Sequence, residues 1–129
     1  MSTLFTSQSD ENLQVHFNGN SGEGTIAGTS IGLNSTNALH NLASILKEYA
    51  KNPAKETSLT VGLCYFNTRS ASKIWEIFKV LEELNLSEKS KASVIWHSQS
   101  DDKDLIETGE VYQSLCPSLP IHTKIIAPI

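Results

Sequence analysis

The sequence predicts a single α/β domain, a mixed sheet of four to five strands with about three helices in the order β-β-α-β-α-β-α-β. Three observations carry this. Short stretches that alternate apolar and polar residues, or are apolar throughout, fall at 12–18, 24–31, 59–66, 92–96 and 121–126. From residue 35 onward they alternate with amphipathic stretches of helical period, a pattern that implies parallel strands joined by right-handed crossovers. The 129 residues fit one core, and a domain of this size buries roughly two-thirds of its unfolded surface, enough to fold without disulfide or metal. The division expected is a flexible polar tail over 1–11 and one domain over 12–129.

In the first strand Leu13, Val15 and Phe17 lie on one side and Gln14 and His16 on the other. Gly19-Asn-Ser-Gly22 has turn chemistry, so Gly24–Ile31 returns as the antiparallel partner. Five of the seven glycines fall between 19 and 32, but no Gly-Lys-Ser/Thr follows them and no helix opens after Gly24, which argues for a hairpin turn over a phosphate-cradling loop. Ser35 or Thr36 caps a helix reaching about Lys51, with Leu39, Leu42, Ala43 and Leu46 on its apolar face and Asn52-Pro53 ending it. Leu59–Phe66, apolar on both faces toward its end, reads as a central strand. From Ser70 or Ser72 a second helix runs to about Leu84 with Ile74, Ile77, Phe78, Leu81 and Leu84 in one stripe. Ala92–Trp96 is a core strand from which His97-Ser-Gln-Ser100 turns away. Asp101, Asp102 and Asp104 suit the start of a third helix, which continues to Pro117, and Ile121–Ile126 closes the chain.

Charge and composition exclude several classes. A net charge of −4 leaves no basic footprint for nucleic acid, and no apolar run approaches the roughly 20 residues of a membrane span. The first eleven residues lack the basic and apolar regions of a signal peptide, so a cytoplasmic location is expected. Cys64 and Cys116 stand without C-x-x-C or paired histidines and read as two reduced thiols. The acidic run Asp101, Asp102, Asp104, Glu107 and Glu110 lacks the spacing of a calcium loop and reads as a solvated helix face.

The informative segment is Tyr65-Phe-Asn-Thr-Arg-Ser-Ala-Ser72, where an apolar strand ends in a hydroxyl-rich turn feeding a helix. Carboxyl ends of strands are where open α/β sheets bind ligands and partners. A phosphate on Thr68 would meet free N–H groups at the helix start, with Arg69 and Lys73 adding positive charge. The simpler reading of the same residues is that Asn67, Thr68 and Ser70 only cap the helix. Trp75 and Tyr65 lie near this turn and suit either a docking face or a core.

Tyr65-Phe-Asn-Thr-Arg-Ser70, then Trp96-His97, then Asp101-Asp-Lys-Asp-Leu-Ile-Glu-Thr-Gly-Glu110, resembles the bacterial SiaC family of regulatory phosphoproteins from about Leu13 to Ile126. That family is similar in turn to the anti-sigma-factor antagonists, which implies a SpoIIAA/STAS-like fold with an acceptor hydroxyl at a strand-to-helix turn. The family's aromatic-any-Asn-Thr-Ser-Ser pattern places the phosphoacceptor on Thr68. The chain departs from it at Arg69, where Ser is common, and keeps the hydroxyl at Ser70. The resemblance implies a non-enzymatic partner switch without cofactor. In it a histidine-kinase-like serine/threonine kinase phosphorylates Thr68, a PP2C-type phosphatase reverses this, and the unphosphorylated form activates an output protein such as a diguanylate cyclase, controlling cyclic-di-GMP and biofilm formation. Tyr65, Asn67, Arg69, Ser70 and Lys73, on the acceptor loop and helix start, form the expected partner-binding surface. Two other classes remain: a small-anion-binding module of the same fold, and a small hydrolase using Thr68 with His97 as general base.

Overall fold

The computed structural model describes residues 4–8, 13–30, 33–99 and 103–126. Six strands, β1 (Leu4–Gln8), β2 (Leu13–Asn18), β3 (Glu23–Ser30), β4 (Glu56–Phe66), β5 (Lys91–Gln99) and β6 (Ile121–Ile126), lie in the sheet in chain order. β1, β2 and β3 pair antiparallel, and β3 to β6 run parallel. The crossovers are α1 (Leu33–Tyr49), α2 (Thr68–Leu86) and α3 (Lys103–Leu115). Each moves one strand onward in the same direction, and right-handed connections of that kind place every helix on one face of the sheet.

Burial follows that geometry. Val15, Ile26, Val61 and Trp96 are paired across four neighbouring strands and all are buried against the helices. Their chain neighbours His16, Thr25, Thr60 and His97 point to the other face and are partly or fully exposed. From the helices, Leu39, Leu42 and Leu46 of α1 and Ile74, Ile77, Phe78 and Leu81 of α2 complete the core. Trp96 is its largest member. Its indole N–H donates to the Leu105 carbonyl at 2.9 Å, and its ring meets Phe78 and Tyr112. Gly109 lets α3 rest directly on that ring, since a Cβ there would stand 2.8 Å from the indole.

The α/β class, the single domain and the element order from β2 onward are as predicted. The structure corrects several details. Leu4–Gln8 is an edge strand, Leu4 opposite Asn18 and Gln8 opposite Gln14, where a flexible tail over 1–11 was expected, so the sheet has six strands. Leu-Phe-Thr-Ser-Gln carries little alternation of its own; its pairing comes from the unpaired backbone groups that the rim of β2 presents. β4 begins at Glu56, three residues early, and β5 continues through His97 to Gln99, because ladder pairing with β6 extends that far. Thr36 lies inside α1, which begins at Leu33. α2 begins at Thr68, before the expected Ser70 or Ser72. Asp101 and Asp102 fall outside the described residues. The glycine-rich hairpin serves packing: Gly22 takes φ +74°, and a Cβ on it would collide with the Glu56 carbonyl.

Candidate functional site

The turn from β4 into α2 is built from the backbone outward. Opposite β3 the register shifts, Gly28 facing Leu63 and Thr29 facing Tyr65, so Cys64 is an extra residue near the carboxyl end of β4. Such a bulge re-aims the end of a strand. Phe66 then anchors the strand end, its ring edge-on to Trp96 with centroids 6.2 Å apart. Asn67 is extended (φ −87°, ψ 177°), and its Oδ1 accepts the Ser70 N–H at 2.9 Å, which makes it the N-cap. Thr68 is therefore the first helical residue, and it is exposed.

Behind Thr68 the helix start is fastened on three sides. The Ser70 hydroxyl is fully buried and lies 3.5 Å from the Thr36 Oγ1 of α1. The Tyr112 hydroxyl of α3 donates to the Ala71 carbonyl at 2.9 Å, and burial pushes that phenol well above its usual pKa. On the α1 side the Lys73 Nζ donates to His40 Nδ1 at 3.2 Å and lies 3.6 Å from Glu76 Oε2. Glu76 also accepts from Lys47 at 2.7 Å, and that hydrogen bond holds its carboxyl below the usual range. The first turn of α2 contains no acidic residue and carries Arg69, the reverse of what the helix dipole favours.

Of the residues singled out in the sequence, Asn67, Thr68, Arg69 and Lys73 share one exposed or half-exposed helix start. Tyr65 lies in β4 just before it. Ser70 differs: its hydroxyl faces inward as a strut between α1 and α2, since it follows Thr68 by two positions and so turns to the opposite side of the helix. His97 alternates with Trp96 along β5, beside Gly62, and therefore lies on the sheet face away from α2. Thr68 and His97 thus do not come together as nucleophile and base. Among the described residues, no three His, Cys, Asp or Glu side chains are grouped to hold a metal. Cys116 is buried, and that burial raises the pKa of its thiol. The contacts of Phe66 and Tyr112 escaped the sequence reading, although aromatic residues flanking Asn-Thr and following Gly109 were visible in it.

A six-stranded sheet with helices on one face, carrying an exposed threonine at a strand-to-helix turn, makes this a small α/β domain. The crystal structure of diguanylate cyclase SiaD in complex with its activator SiaC from Pseudomonas aeruginosa contains a chain of this fold. The match has a TM-score of 0.83 at 18% identity and covers 96% of this chain and 99% of that one. SiaC of Pseudomonas aeruginosa matches with a TM-score of 0.80 at 18% identity, over 98% and 99% of the two chains. No curated protein sequence matches the chain. The pattern of the SiaC family regulatory phosphoproteins matches residues 6–126, and the chain belongs to that family. No helix among the described residues is long and apolar enough to cross a membrane.

Proposed function

We propose that this chain is a cytoplasmic partner switch whose setting is the phosphorylation state of Thr68. Unphosphorylated, it binds and activates an output protein, a diguanylate cyclase. A histidine-kinase-like serine/threonine kinase adds the phosphate and a PP2C-type phosphatase removes it. The observation that carries the reading is the division of labour between Asn67 and Thr68. Asn67 caps the helix, so the exposed threonine beside it is not needed for that purpose and is open to a kinase. Membership of a regulatory phosphoprotein family supports phosphorylation as the means of control.

The chemistry of the switch is electrostatic. A phosphate adds up to about two negative charges at pH 7 to a chain already at −4. It repels acidic surfaces and cancels the positive charge of Arg69 and Lys73. The interface is thereby changed without any rearrangement of the core. Asn67, Arg69 and Lys73 share the helix start with the acceptor and Tyr65 precedes it in β4; these are the residues a kinase and an output protein would both meet.

Phosphopeptide mapping of the chain purified from its native host with phosphatases inhibited tests the acceptor, with Thr68→Ala as control. Phosphate is expected on the Thr68 peptide alone. Adding wild type and Thr68→Glu to the host's purified diguanylate cyclases tests the output: wild type is expected to raise cyclic-di-GMP synthesis and Thr68→Glu to fail. Equal activation by both proteins would sink the switch.

A further inference from the structure

β6 is a rim of the sheet: among the described strands it pairs with β5 alone. Its backbone groups alternate in direction. The Pro120 carbonyl accepts the Val94 N–H of β5, so Pro120, His122 and Lys124 turn their peptide groups toward β5, and Ile121, Thr123 and Ile125 turn theirs outward. The Ile121 N–H agrees with this, since it donates to the Gln113 side chain of α3 instead of to a strand. Past that bond, the N–H and C=O groups of Thr123 and Ile125 form the outer edge. Ile121 lies opposite Val94 and Ile125 opposite Ser98, both buried, so the same three residues point their side chains to the helix face. Thr123 is exposed there, and Ile125 keeps 49% of its surface in the open.

Natural sheets blunt their edges with bulges, prolines or inward-pointing charges. β6 has none of these: its register with β5 is unbroken over Ile121–Ile126, and its one lysine, Lys124, lies on the opposite face across from His97. An edge of backbone groups selects its own complement, an extended segment that offers the same groups. The residues of the strand narrow this to a second copy. Ile121-His-Thr-Lys-Ile125 reads Ile-X-Thr-X-Ile in both directions, and a two-fold interface requires that self-complementarity.

We infer that two copies of this chain join edge to edge, β6 against β6 antiparallel about a two-fold axis at Thr123, so that the sheet continues from one copy into the other. Thr123 exchanges N–H and C=O bonds with the copy's Thr123. Each Ile125 N–H reaches the copy's Ile121 carbonyl and brings the two isoleucine side chains together on the helix face, with the Gln113 bond to the Ile121 N–H left in place. The helix layer closes over the seam. α3 lies above β5 and β6, since Gly109 rests on Trp96 and Gln113 bonds Ile121. With strands about 4.8 Å apart, the two α3 helices run about 10 Å from each other, a normal packing distance. Half-buried Ile106 precedes Gln113 by two helical turns and so stands on the same side of α3, toward the seam.

An edge about 20 Å long with one helix behind it buries roughly 800–1,000 Å² in total, the low end for a specific interface, so a dimer of about micromolar Kd is expected. The inference goes beyond the partner-switch reading and does not depend on it. The seam runs along β6, whereas Thr68 follows β4, two strands away. Both acceptor turns therefore stay open, at opposite ends of the joined sheet.

The test is sedimentation of the full-length unphosphorylated chain from about 1 to about 200 μM, because self-association depends on protomer concentration. Wild type is expected to pass from monomer to dimer in that range, and amide exchange at Thr123 and Ile125 to slow as it does. Thr123→Pro removes the central N–H of the seam. That N–H points away from β5, so the ladder within each copy is kept, and self-association is expected to weaken about tenfold or more with the circular dichroism spectrum unchanged. Ile125→Lys sets a charge opposite the copy's Ile121 and is expected to weaken it likewise. Leu115→Lys alters an equally exposed apolar residue on the side of α3 away from Gln113 and is expected to leave Kd within about twofold.

A chain that stays monomeric throughout that range would overturn the inference. A dimer that both β6 variants leave intact would place the interface elsewhere and overturn it too. If Thr123→Pro unfolds the chain, Ile125→Lys and the Thr123 amide decide, an exchange rate independent of concentration counting against the seam. Edge amides protected only when a diguanylate cyclase is added would give β6 to the output protein and overturn the second copy.

Discussion

Both ends of α2 are tied to their neighbours, and they differ in what they leave in the open. At its carboxyl end Glu82 is buried, its carboxylate accepting from Lys79 at 2.9 Å and from the Ser118 N–H at 2.9 Å. Three residues on, the Asn85 amide donates to the carbonyls of Ala92 and Ser118 and accepts the Ala92 N–H. One side chain thereby ties α2 to the start of β5 and to the loop before β6. At its amino end the capping is done by Asn67, and Thr68 is left open to solvent. The contrast teaches where change is tolerated: a group added at Thr68 disturbs no internal bond, so its effect is confined to whatever docks there.

Breaking the ties at the carboxyl end has the largest consequence. Asn85→Ala removes the partner of two carbonyls and one N–H, partly buried groups that each cost about 1–3 kcal/mol when left unsatisfied. With water recovering part of that, urea unfolding is expected to show a loss of about 3 kcal/mol, a large share of the roughly 5–15 kcal/mol typical of a domain. Glu82 sharpens the comparison through pH. Burial alone would raise its pKa, but Lys79 and the Ser118 N–H outweigh burial and hold it below the ordinary carboxylate value of 4.5. A group that ionises more readily folded than unfolded adds stability above its unfolded pKa and loses it as pH falls through the lower folded value. Glu82→Gln is therefore expected to cost about 1–2 kcal/mol at pH 7 and less at an acid pH below the ordinary carboxylate range, where wild type is losing the same contribution. Equal losses at both pH values would mean that the carboxylate's charge is irrelevant.

The same contrast explains what could be read from the sequence. The helix stripes, the hairpin and the cap of α2 were legible because each is local: Ile74, Ile77, Phe78 and Leu81 repeat at helical spacing, and Asn67 next to Thr68 is a cap signal in its own right. Strand β1 was not legible, since its pairing depends on the rim of β2 more than on its own residues. The sequence puts the start of α2 two to four residues late because Ser70 and Ser72 are as good caps by type as Asn67, and the Asn67 side chain is the one that bonds the Ser70 N–H. The roles of Ser70 and His97 turned on facing: one slip in phase moves a side chain from partner surface to interior or from one sheet face to the other. Trp96 and Gly109 show the reverse case. Their spacing read only as a fingerprint, and in the fold it is a physical contact, the glycine seating α3 on the indole.

Asn67→Ala probes the cap alone. Losing its bond to the Ser70 N–H is expected to lower stability by about 1 kcal/mol, read from the urea midpoint, and to fray the first turn enough to speed amide exchange at Ser70 and Ala71, whose N–H groups bond Asn67. A loss nearer 3 kcal/mol would mean that the Asn67 cap carries as much of the fold as Asn85 does, and the distinction between the two residues would fail.

The smallest expected effect is the most informative. Thr68 is exposed at the first helical position, and its helix is already capped by its neighbour. Thr68→Ala should therefore change stability by less than about 0.5 kcal/mol, the usual range for a surface site free of such features. Alanine also has the better helix propensity, so the sign is expected to be slightly positive. The same substitution removes the only hydroxyl that Thr68 offers to a kinase. A midpoint unchanged in urea together with the loss of all phosphate from this peptide would make Thr68 a residue retained for modification and dispensable for folding. A loss above about 1 kcal/mol would instead place the threonine hydroxyl among the caps of α2, on the scale that N-cap side chains contribute, and return the turn to a purely structural role.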